Sequence, residues 1–253
     1  MKDANSTSFS YYDFIPVKSR KKREGKNVHS RSSASASLTR LRDQLRQDEW
    51  FSQCLRILEG ALSAISLEPP AILCLGLGSP TMSPNSNIQL AFLVEMCRDL
   101  KIEPGNVSLY DPVFTAEDTA LFEDLHMRVL TENRNAQHPI DVPTMCLMPH
   151  CDMELYENFL KVNWTQERLF KALLVGNRLG EYVDSNPNHK LKTRVPYLLK
   201  LAPLLECRPL PPSSAWPTAF NNTCAQFLPS NVLLAEANSE VAQDELNVSD
   251  TAV

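Results

Sequence analysis

The segment Ala71-Ile72-Leu73-Cys74-Leu75-Gly76-Leu77-Gly78-Ser79 carries the strongest structural signal of the chain. A short apolar run that ends in glycines predicts a strand at 71–76, buried on both faces and followed by a tight turn. A helical spacing of apolar residues begins soon afterwards and predicts a helix at 86–100. The segment therefore predicts a βα unit whose turn lets a small anionic ligand approach the backbone.

Strands and helices continue to alternate after this first βα unit. Further apolar runs and helical spacings predict strands at 107–110, 128–130, 144–148, 170–175 and 204–210, and helices at 115–126, 152–162 and 193–201. Strands that alternate with helices form a mostly parallel sheet with helices on its faces. The predicted fold class is therefore α/β, with a Rossmann-like, mostly parallel sheet.

The predicted organisation is one domain with a tail at each end. Apolar residues at three- and four-residue steps over 38–67 predict N-terminal amphipathic helices that precede the first strand, so the domain covers 38–230. Residues 1–37 are basic and residues 231–253 are acidic, and both have little apolar periodicity. We expect both tails to be disordered.

Charge is distributed unevenly along the chain. The net charge of −5 divides into +7 for residues 1–46 and −12 for the remainder. An acidic body repels phosphate backbones, so any contact with nucleic acid would have to go through the basic arm. The basic tract at 18–23 has three open interpretations, which are a nuclear-import signal, an RNA-contacting arm and a solubilising tail.

Cysteine usage indicates the compartment. The seven cysteines include no Cys-x-x-Cys pair, and the first residues lack the apolar core of a signal peptide. No stretch approaches the roughly 20 apolar residues that a membrane span needs. We expect a cytoplasmic protein with reduced thiols and no membrane contact, and the tract at 18–23 adds the nucleus as an alternative.

Polar residues follow several of the predicted strands. Ligands of open parallel sheets bind beyond the carboxyl ends of the strands, so these residues form a candidate binding rim: Gly76, Gly78, Ser79, Asp111, His150 and Asn177. Thr81 replaces the third glycine of a dinucleotide fingerprint, while a shorter Gly-x-Gly with an acidic residue after the second strand also suits S-adenosylmethionine. The alternative is that the glycines serve only a tight turn and Asp111 only caps a loop. The cofactor stays unknown.

The segment Cys146-Leu147-Met148-Pro149-His150-Cys151 concentrates sulfur and imidazole groups. A structural zinc site needs four ligands, and no second pair has suitable spacing, so we assign no metal. Motifs for a nucleophile elbow, a phosphate-binding loop or a zinc protease are absent from the sequence, so we assign no catalytic residue. His150 with Cys151 is the pair to test for nucleophilic chemistry.

An ordered set of motifs between residues 48 and 225 resembles the sensitivity-to-red-light-reduced domain. These motifs are Leu75-Gly76-Leu77-Gly78-Ser79, Tyr110-Asp111-Pro112-Val113-Phe114, Met148-Pro149-His150-Cys151 with Tyr156 and Asn163-Trp164, Val175-Gly176-Asn177, and Ala219-Phe220-Asn221-Asn222-Thr223. The chain is similar to animal members of that family.

The resemblance implies a regulatory protein. Plant members act in light signalling and circadian timing, and animal members are associated with haem biosynthesis and clock-gene expression, through protein partners that stay unknown. The resemblance carries over five rim positions as a candidate pocket for a small anionic or nucleotide-like ligand: Gly76, Gly78, Asp111, His150 and Asn177. The alternative is a transferase-type enzyme that uses S-adenosylmethionine or a nucleotide at the glycine turn and Asp111.

Overall fold

A seven-stranded sheet organises the part of the chain that the computed structural model describes, residues 27–67 and 70–234. Its strands are β1 (Ala71–Leu75), β2 (Val107–Tyr110), β3 (Arg128–Val129), β4 (Thr144–Met148), β5 (Ala172–Asn177), β6 (Glu206–Pro209) and β7 (Thr223–Phe227), in the spatial order β3-β2-β1-β4-β5-β7-β6. Strands β1 to β5 are parallel to one another, and β7 is antiparallel to both β5 and β6. The predicted α/β class is thus confirmed.

Helices cover both faces of the sheet. They are α1 (Asn27–Gln47), α2 (Glu49–Ala64), α3 (Pro84–Asp99), α4 (Ala116–Asp124), α5 (Met153–Val162), α6 (Gln166–Leu169), α7 (Leu179–Ser185), α8 (Asn188–Arg194) and α9 (Pro196–Leu201). One face packs with α2, α3 and α4 in a core that includes Phe51 and Phe92. The other packs with α5 and α9 around Tyr156 and Leu198. Adjacent residues of one strand, such as Leu174 and Val175, enter opposite cores, as the twofold period of a strand requires.

The N-terminal helix docks through a buried carboxylate. Glu95 of α3 is fully buried, and it accepts hydrogen bonds from Arg42 at 2.5 Å and from Arg46 at 2.7 Å, both on α1. Arg98, one turn further along α3, pairs with the same carboxylate at 2.5 Å. Three guanidinium groups therefore compensate the cost of burying one negative charge.

The termini differ in part from the sequence-based expectation. The first helix begins at Asn27, so the segment 27–37 is helical and not a disordered arm. Ala34 and Ala36 favour helix, but the segment lacks the apolar spacing by which the sequence predicts helix from residue 38. Residues 1–26 and 235–253, to which the rest of the predicted tails belongs, lie outside the described residues.

The C-terminal third contains the largest departures. The helix expected at 193–201 is two helices that divide at Val195, because Pro196 removes a backbone donor and biases the preceding residue away from helix. The sixth strand is shorter than 204–210, since Ala202–Leu204 forms a 3-10 turn. No strand was predicted at β7, which is buried along its whole length although it contains Thr223 and Gln226.

Candidate functional site

The glycine turn after β1 and the aspartate after β2 meet at one edge of the sheet, as the sequence predicts. Gly76 and Gly78 both have left-handed backbone, with φ of 71° and 73°. The Gly78 amide donates to Asp111 Oδ2 at 2.8 Å, and the Val113 amide donates to Asp111 Oδ1 at 3.0 Å. Asp111 is only 6% exposed, and both of its carboxylate oxygens accept hydrogen bonds from backbone amides.

Close neighbours explain why both turn positions are glycine. A Cβ at position 76 would lie 2.5 Å from Cys151 Sγ, and a Cβ at position 78 would lie 2.5 Å from Ser86 Oγ. The Cys151 thiol in turn donates to the Leu75 carbonyl at 3.5 Å. The turn is therefore packed against the loop that follows β4 on one side and the start of α3 on the other.

Asp118, in the first turn of α4, is a buried carboxylate at this edge that was not among the predicted rim residues. It is fully buried and accepts hydrogen bonds from the amide and hydroxyl of Thr81 at 2.9 and 2.8 Å. It also accepts from the amide and hydroxyl of Thr115 at 2.8 and 2.9 Å, while Thr115 caps the helix. The pattern Thr115-x-x-Asp118 is the sequence signal that could have identified it.

The pKa of Asp118 follows from this environment. Burial alone would raise the pKa, but hydrogen bonds from Thr115, Ser79 and Thr81 outweigh burial and hold the pKa below its ordinary value. Ser79, which is buried, also lies 3.3 Å from the Thr81 hydroxyl. The loop after β1 and the loop after β2 are thus held by two carboxylates, Asp111 and Asp118.

Asn177 ends β5, and its side chain contacts the loop that follows β4. Its side-chain amide donates to the Tyr182 hydroxyl at 2.6 Å and, over 3.4 Å, to the Cys151 carbonyl. Tyr182 donates to the same carbonyl at 2.5 Å. Burial raises the pKa of Tyr182 to about 12, so the hydroxyl stays protonated and can donate.

A tyrosine hydroxyl crosses between β4 and β5. Tyr156 is fully buried, donates to the Met148 carbonyl at 2.7 Å and accepts from the Asn177 amide at 3.0 Å. A Cβ at Gly176 would collide with this hydroxyl and with the Met148 carbonyl. Tyr156 and Gly176 belong to the motifs on which the family resemblance rests, and the fold brings them into contact.

His150 is directed away from the other rim residues. It is exposed and has left-handed backbone, and its Nε2 lies 3.2 Å from the Ala219 carbonyl, in the segment that precedes β7. Cys151 is buried, and burial together with Asp152 and Asp111 raises the pKa of its thiol well above the ordinary range. The His150 and Cys151 side chains therefore contact different groups, and no step of nucleophilic catalysis follows from them.

The structure brings five of the six predicted rim residues into one contact network. Cys151 contacts both the turn at Gly76 and the side chain of Asn177. In the same turn, Gly78 donates to Asp111. Ser79 follows Gly78 and lies beside Thr81. Among residues 27–67 and 70–234, no cluster of three or more His, Cys, Asp or Glu side chains could hold a metal ion. No helix in these same residues has the length and apolar character of a membrane span.

The chain is similar in sequence to SRR1 proteins of mouse, plant and fly. The "SRR1-like protein" of Mus musculus is 30% identical over 182 residues, 68% of this chain and 73% of that protein. The Arabidopsis thaliana protein "SENSITIVITY TO RED LIGHT REDUCED 1" is 30% identical over 151 residues, 60% of this chain. The "SRR1-like protein" of Drosophila melanogaster is 29% identical over 140 residues, 55% of this chain. The chain spans 53% and 50% of the plant and fly relatives.

The family model described as the SRR1 domain matches residues 41–227, a range that begins within α1 and ends with the last residue of β7. All seven strands and the contact network at the carboxyl edge lie inside this match. The chain belongs to the SRR1 domain family.

Proposed function

We propose that this protein is an intracellular regulator that influences haem biosynthesis and the circadian expression of clock genes, and that it acts through contacts with other proteins. Membership of the SRR1 family supports a regulatory role, and a plant relative is named for sensitivity to red light. We place the protein in the cytoplasm, with the nucleus as the alternative that the basic tract at 18–23 offers.

The observation that carries this proposal is the burial of the Asp111 carboxylate and its hydrogen bonds to backbone amides. An acidic residue after the second strand serves a nucleotide by accepting hydrogen bonds from ribose hydroxyls. Here both oxygens accept backbone amides, and the side chain is 6% exposed. An aspartate used in this way stabilises the rim as a rigid surface, which suits recognition of a partner better than turnover of a substrate.

Deletion of the gene in cells that express the protein tests the proposal. We expect the deletion to change haem content and the period of a clock-gene reporter, and re-expression of the wild-type chain to restore both. Asp111→Ala should restore less, whereas Asp184→Ala, at an exposed position on α7, is the matched control and should restore fully. Unchanged haem content and period after deletion would refute the proposal.

A second candidate is a transferase-type enzyme that binds S-adenosylmethionine or a nucleotide. The strand order β3-β2-β1-β4-β5 is that of dinucleotide-binding sheets, which hold their ligand beyond the carboxyl ends of the strands. A fold alone does not establish an activity, so the argument for this candidate rests on topology and on the glycine turn.

Calorimetry of the purified chain separates the two candidates. S-adenosylmethionine, ATP and haem would be titrated against the wild-type chain, Gly78→Val and Asp111→Asn, with circular dichroism to verify folding. Binding of S-adenosylmethionine or ATP that both variants abolish would favour the transferase. Wild-type protein that binds none of the three ligands would favour the protein-interaction role.

A further inference from the structure

The crossover segment, residues 130–143 between β3 and β4, contains no helix. It runs as turns and irregular backbone, whereas parallel strands are usually connected through a helix. Ala136 and Ile140 pack it onto the sheet face that carries Leu73. Irregular segments of this length are uncommon in compact domains and are often functional. A cavity of about 680 Å³ lies between this segment and the amino ends of β1, β2 and β4.

A buried asparagine holds the crossover segment in place. Asn163, which follows α5 and is fully buried, accepts from the Ile140 amide at 2.7 Å and donates to the His138 carbonyl at 2.9 Å. Asp141 of the segment also pairs with Arg168 at 3.1 Å. Asn163 belongs to the motifs on which the family resemblance rests, and these contacts make it a positioning residue for the cavity wall. A wall that is already fixed reduces the entropy that a ligand would lose on binding.

Arg128 of β3 presents a guanidinium group to the cavity. Its Nε and Nη2 donate to the Ser108 hydroxyl oxygen at 3.1 and 2.9 Å, and the two residues are partners in the parallel pairing of β2 with β3. Among the residues that the structure describes, Nη1 has no hydrogen-bond partner and no carboxylate pairs with this side chain. The serine therefore fixes the plane of the guanidinium and leaves its charge without a counterion.

The Ser108 hydroxyl is also left as a donor. Its oxygen has two lone pairs, and two N–H groups of Arg128 occupy both. The hydroxyl hydrogen is then free to donate, and no acceptor in the described part of the chain takes it. Ser108 is only 8% exposed and lines the cavity. The cavity thus offers charged and neutral donors that lack acceptors within the protein.

A second arginine adds positive charge to the cavity. Arg134 lines it, and within residues 27–67 and 70–234 its one ion pair is with Glu132 at 2.8 Å, where the side chains are 52% and 70% exposed. An exposed ion pair contributes little stability, so a ligand can compete for this arginine.

His138 lines the same cavity without adding charge. Its Nε2 is buried and has no hydrogen-bond partner among the described residues. Burial and the charge of Arg134 hold the pKa of His138 below its ordinary value, so the imidazole is neutral at pH 7. The charged side chains at the cavity are then two arginines and one glutamate, on a body that carries −12 over residues 47–253.

We propose that this cavity binds a small molecule through an oxyanion group, either a phosphate or a carboxylate. Arg128 and Arg134 pair with its charge, and the Ser108 hydroxyl donates to it. Small-molecule sites span about 300–1,000 Å³, a range that includes this cavity. The site lies at the opposite edge of the sheet from the glycine turn, so it is separate from the rim and independent of the function proposed above.

Calorimetry of the full-length chain tests the assignment with three probes, which are inorganic phosphate, glycerol 3-phosphate and malonate. We expect the wild-type chain to bind at least one probe. Arg128→Met should weaken that binding by a factor of about 10–100, the effect of losing a hydrogen bond to a charged group. Ser108→Ala should weaken it by a factor of about 2–10. Binding of the phosphates alone would assign a phosphate ligand, binding of malonate alone a carboxylate ligand, and binding of both the shared oxyanion chemistry.

Arg178→Met is the matched control. The Arg178 side chain is 53% exposed and lines a separate cavity of about 340 Å³ at the carboxyl edge, so this substitution should leave binding unchanged. Circular dichroism verifies that each variant folds, and Arg134→Met, at an exposed position, gives the same test if Arg128→Met does not fold. Absence of binding for all three probes, or equal effects of the cavity variant and the control, would overturn the proposal.

Discussion

The backbone amide of Gly78 donates a 2.8 Å hydrogen bond to the carboxylate of Asp111 and so joins the turn after β1 to the end of β2. Parallel pairing of these strands, with Leu75 opposite Tyr110, brings the two loops to the same edge. The contact uses a backbone donor that a ligand phosphate would otherwise accept from. A ligand at this edge must either displace Asp111 or bind elsewhere on the rim.

Gly78→Ala should lower the free energy of unfolding by about 2–5 kcal/mol. The left-handed backbone at this position costs a residue with a side chain about 1–2 kcal/mol. The new methyl group also meets Ser86 Oγ at 2.5 Å, and overpacking of this kind costs about 1–3 kcal/mol. Urea denaturation followed by circular dichroism measures the difference.

Gly105→Ala is the control for this substitution. Position 105 lies in the 3-10 turn Pro104–Asn106, and a Cβ there has no neighbour within 4 Å. Because alanine restricts the unfolded chain, stability should be unchanged or higher by about 0.4–1 kcal/mol. Equal losses at positions 78 and 105 would contradict the argument from the turn.

Asp118 should make stability depend on pH in the acid range. Its pKa in the folded protein is below the ordinary value near 3.8, so the stabilisation is fully present above that value. It is lost as the pH falls through the lower pKa of the folded state, because the four hydrogen bonds need an ionised acceptor. In Asp118→Asn the urea midpoint should be lower at neutral pH and should change less between pH 5 and pH 2.

The exposed Asp184 supplies the comparison for Asp118. Asp184→Asn should retain the wild-type pH dependence, since no hydrogen bond of Asp184 holds two loops together. If Asp118→Asn and the wild type lose stability in parallel as the pH falls, other carboxylates determine the acid transition.

The sequence predicted those features that depend on local patterns. Glycines after an apolar run placed the turn, and the strand bounds 107–110 and 144–148 agree with β2 and β4. Parallel strands then place Gly78 and Asp111 at one edge, and this proximity was also predicted. These conclusions needed only periodicity, turn chemistry and the rule for strand direction.

Features that depend on tertiary contact were missed. β7 contains a buried Gln226, whose side chain accepts from the Leu179 amide and donates to the Asn177 carbonyl. A buried glutamine is satisfied only by partners distant in the sequence, so no local pattern predicts a buried strand there. His150 was also predicted to lie on the rim, but its side chain contacts the Ala219 carbonyl. This contact is between residues far apart in the sequence, so no local pattern predicts it.

Gly176 and Tyr156 should show energetic coupling. Tyr156→Phe removes the partner of the Met148 carbonyl and the Asn177 amide, and each unsatisfied buried group costs about 1–3 kcal/mol. Gly176→Ala should cost more, because its methyl group would collide with both the hydroxyl and the carbonyl. In the double variant the collision with the hydroxyl is absent, so the total loss should be smaller than the sum of the single losses.

A double-mutant cycle by chemical denaturation measures this coupling. Tyr197→Phe combined with Gly176→Ala is the control, since Tyr197 contacts Trp164 and is not a neighbour of the space at Gly176. Additive losses for the Tyr156 pair would show that the hydroxyl does not occupy the space a methyl group needs.

Glu95 should control the docking of α1 on the domain. Glu95→Gln leaves Arg42 and Arg46 on α1 without their common carboxylate, and breaking a buried ion pair costs about 3–5 kcal/mol. Because these arginines are 26% and 36% exposed, solvent compensates part of the loss, and we expect about 2–3 kcal/mol. Hydrogen exchange should show lost protection in α1 while β1 and β4 stay protected, whereas Glu103→Gln, at an exposed position, should leave α1 unchanged. Uniform loss of protection across helix and sheet would mean that α1 is part of one cooperative unit and that Glu95 stabilises the whole domain.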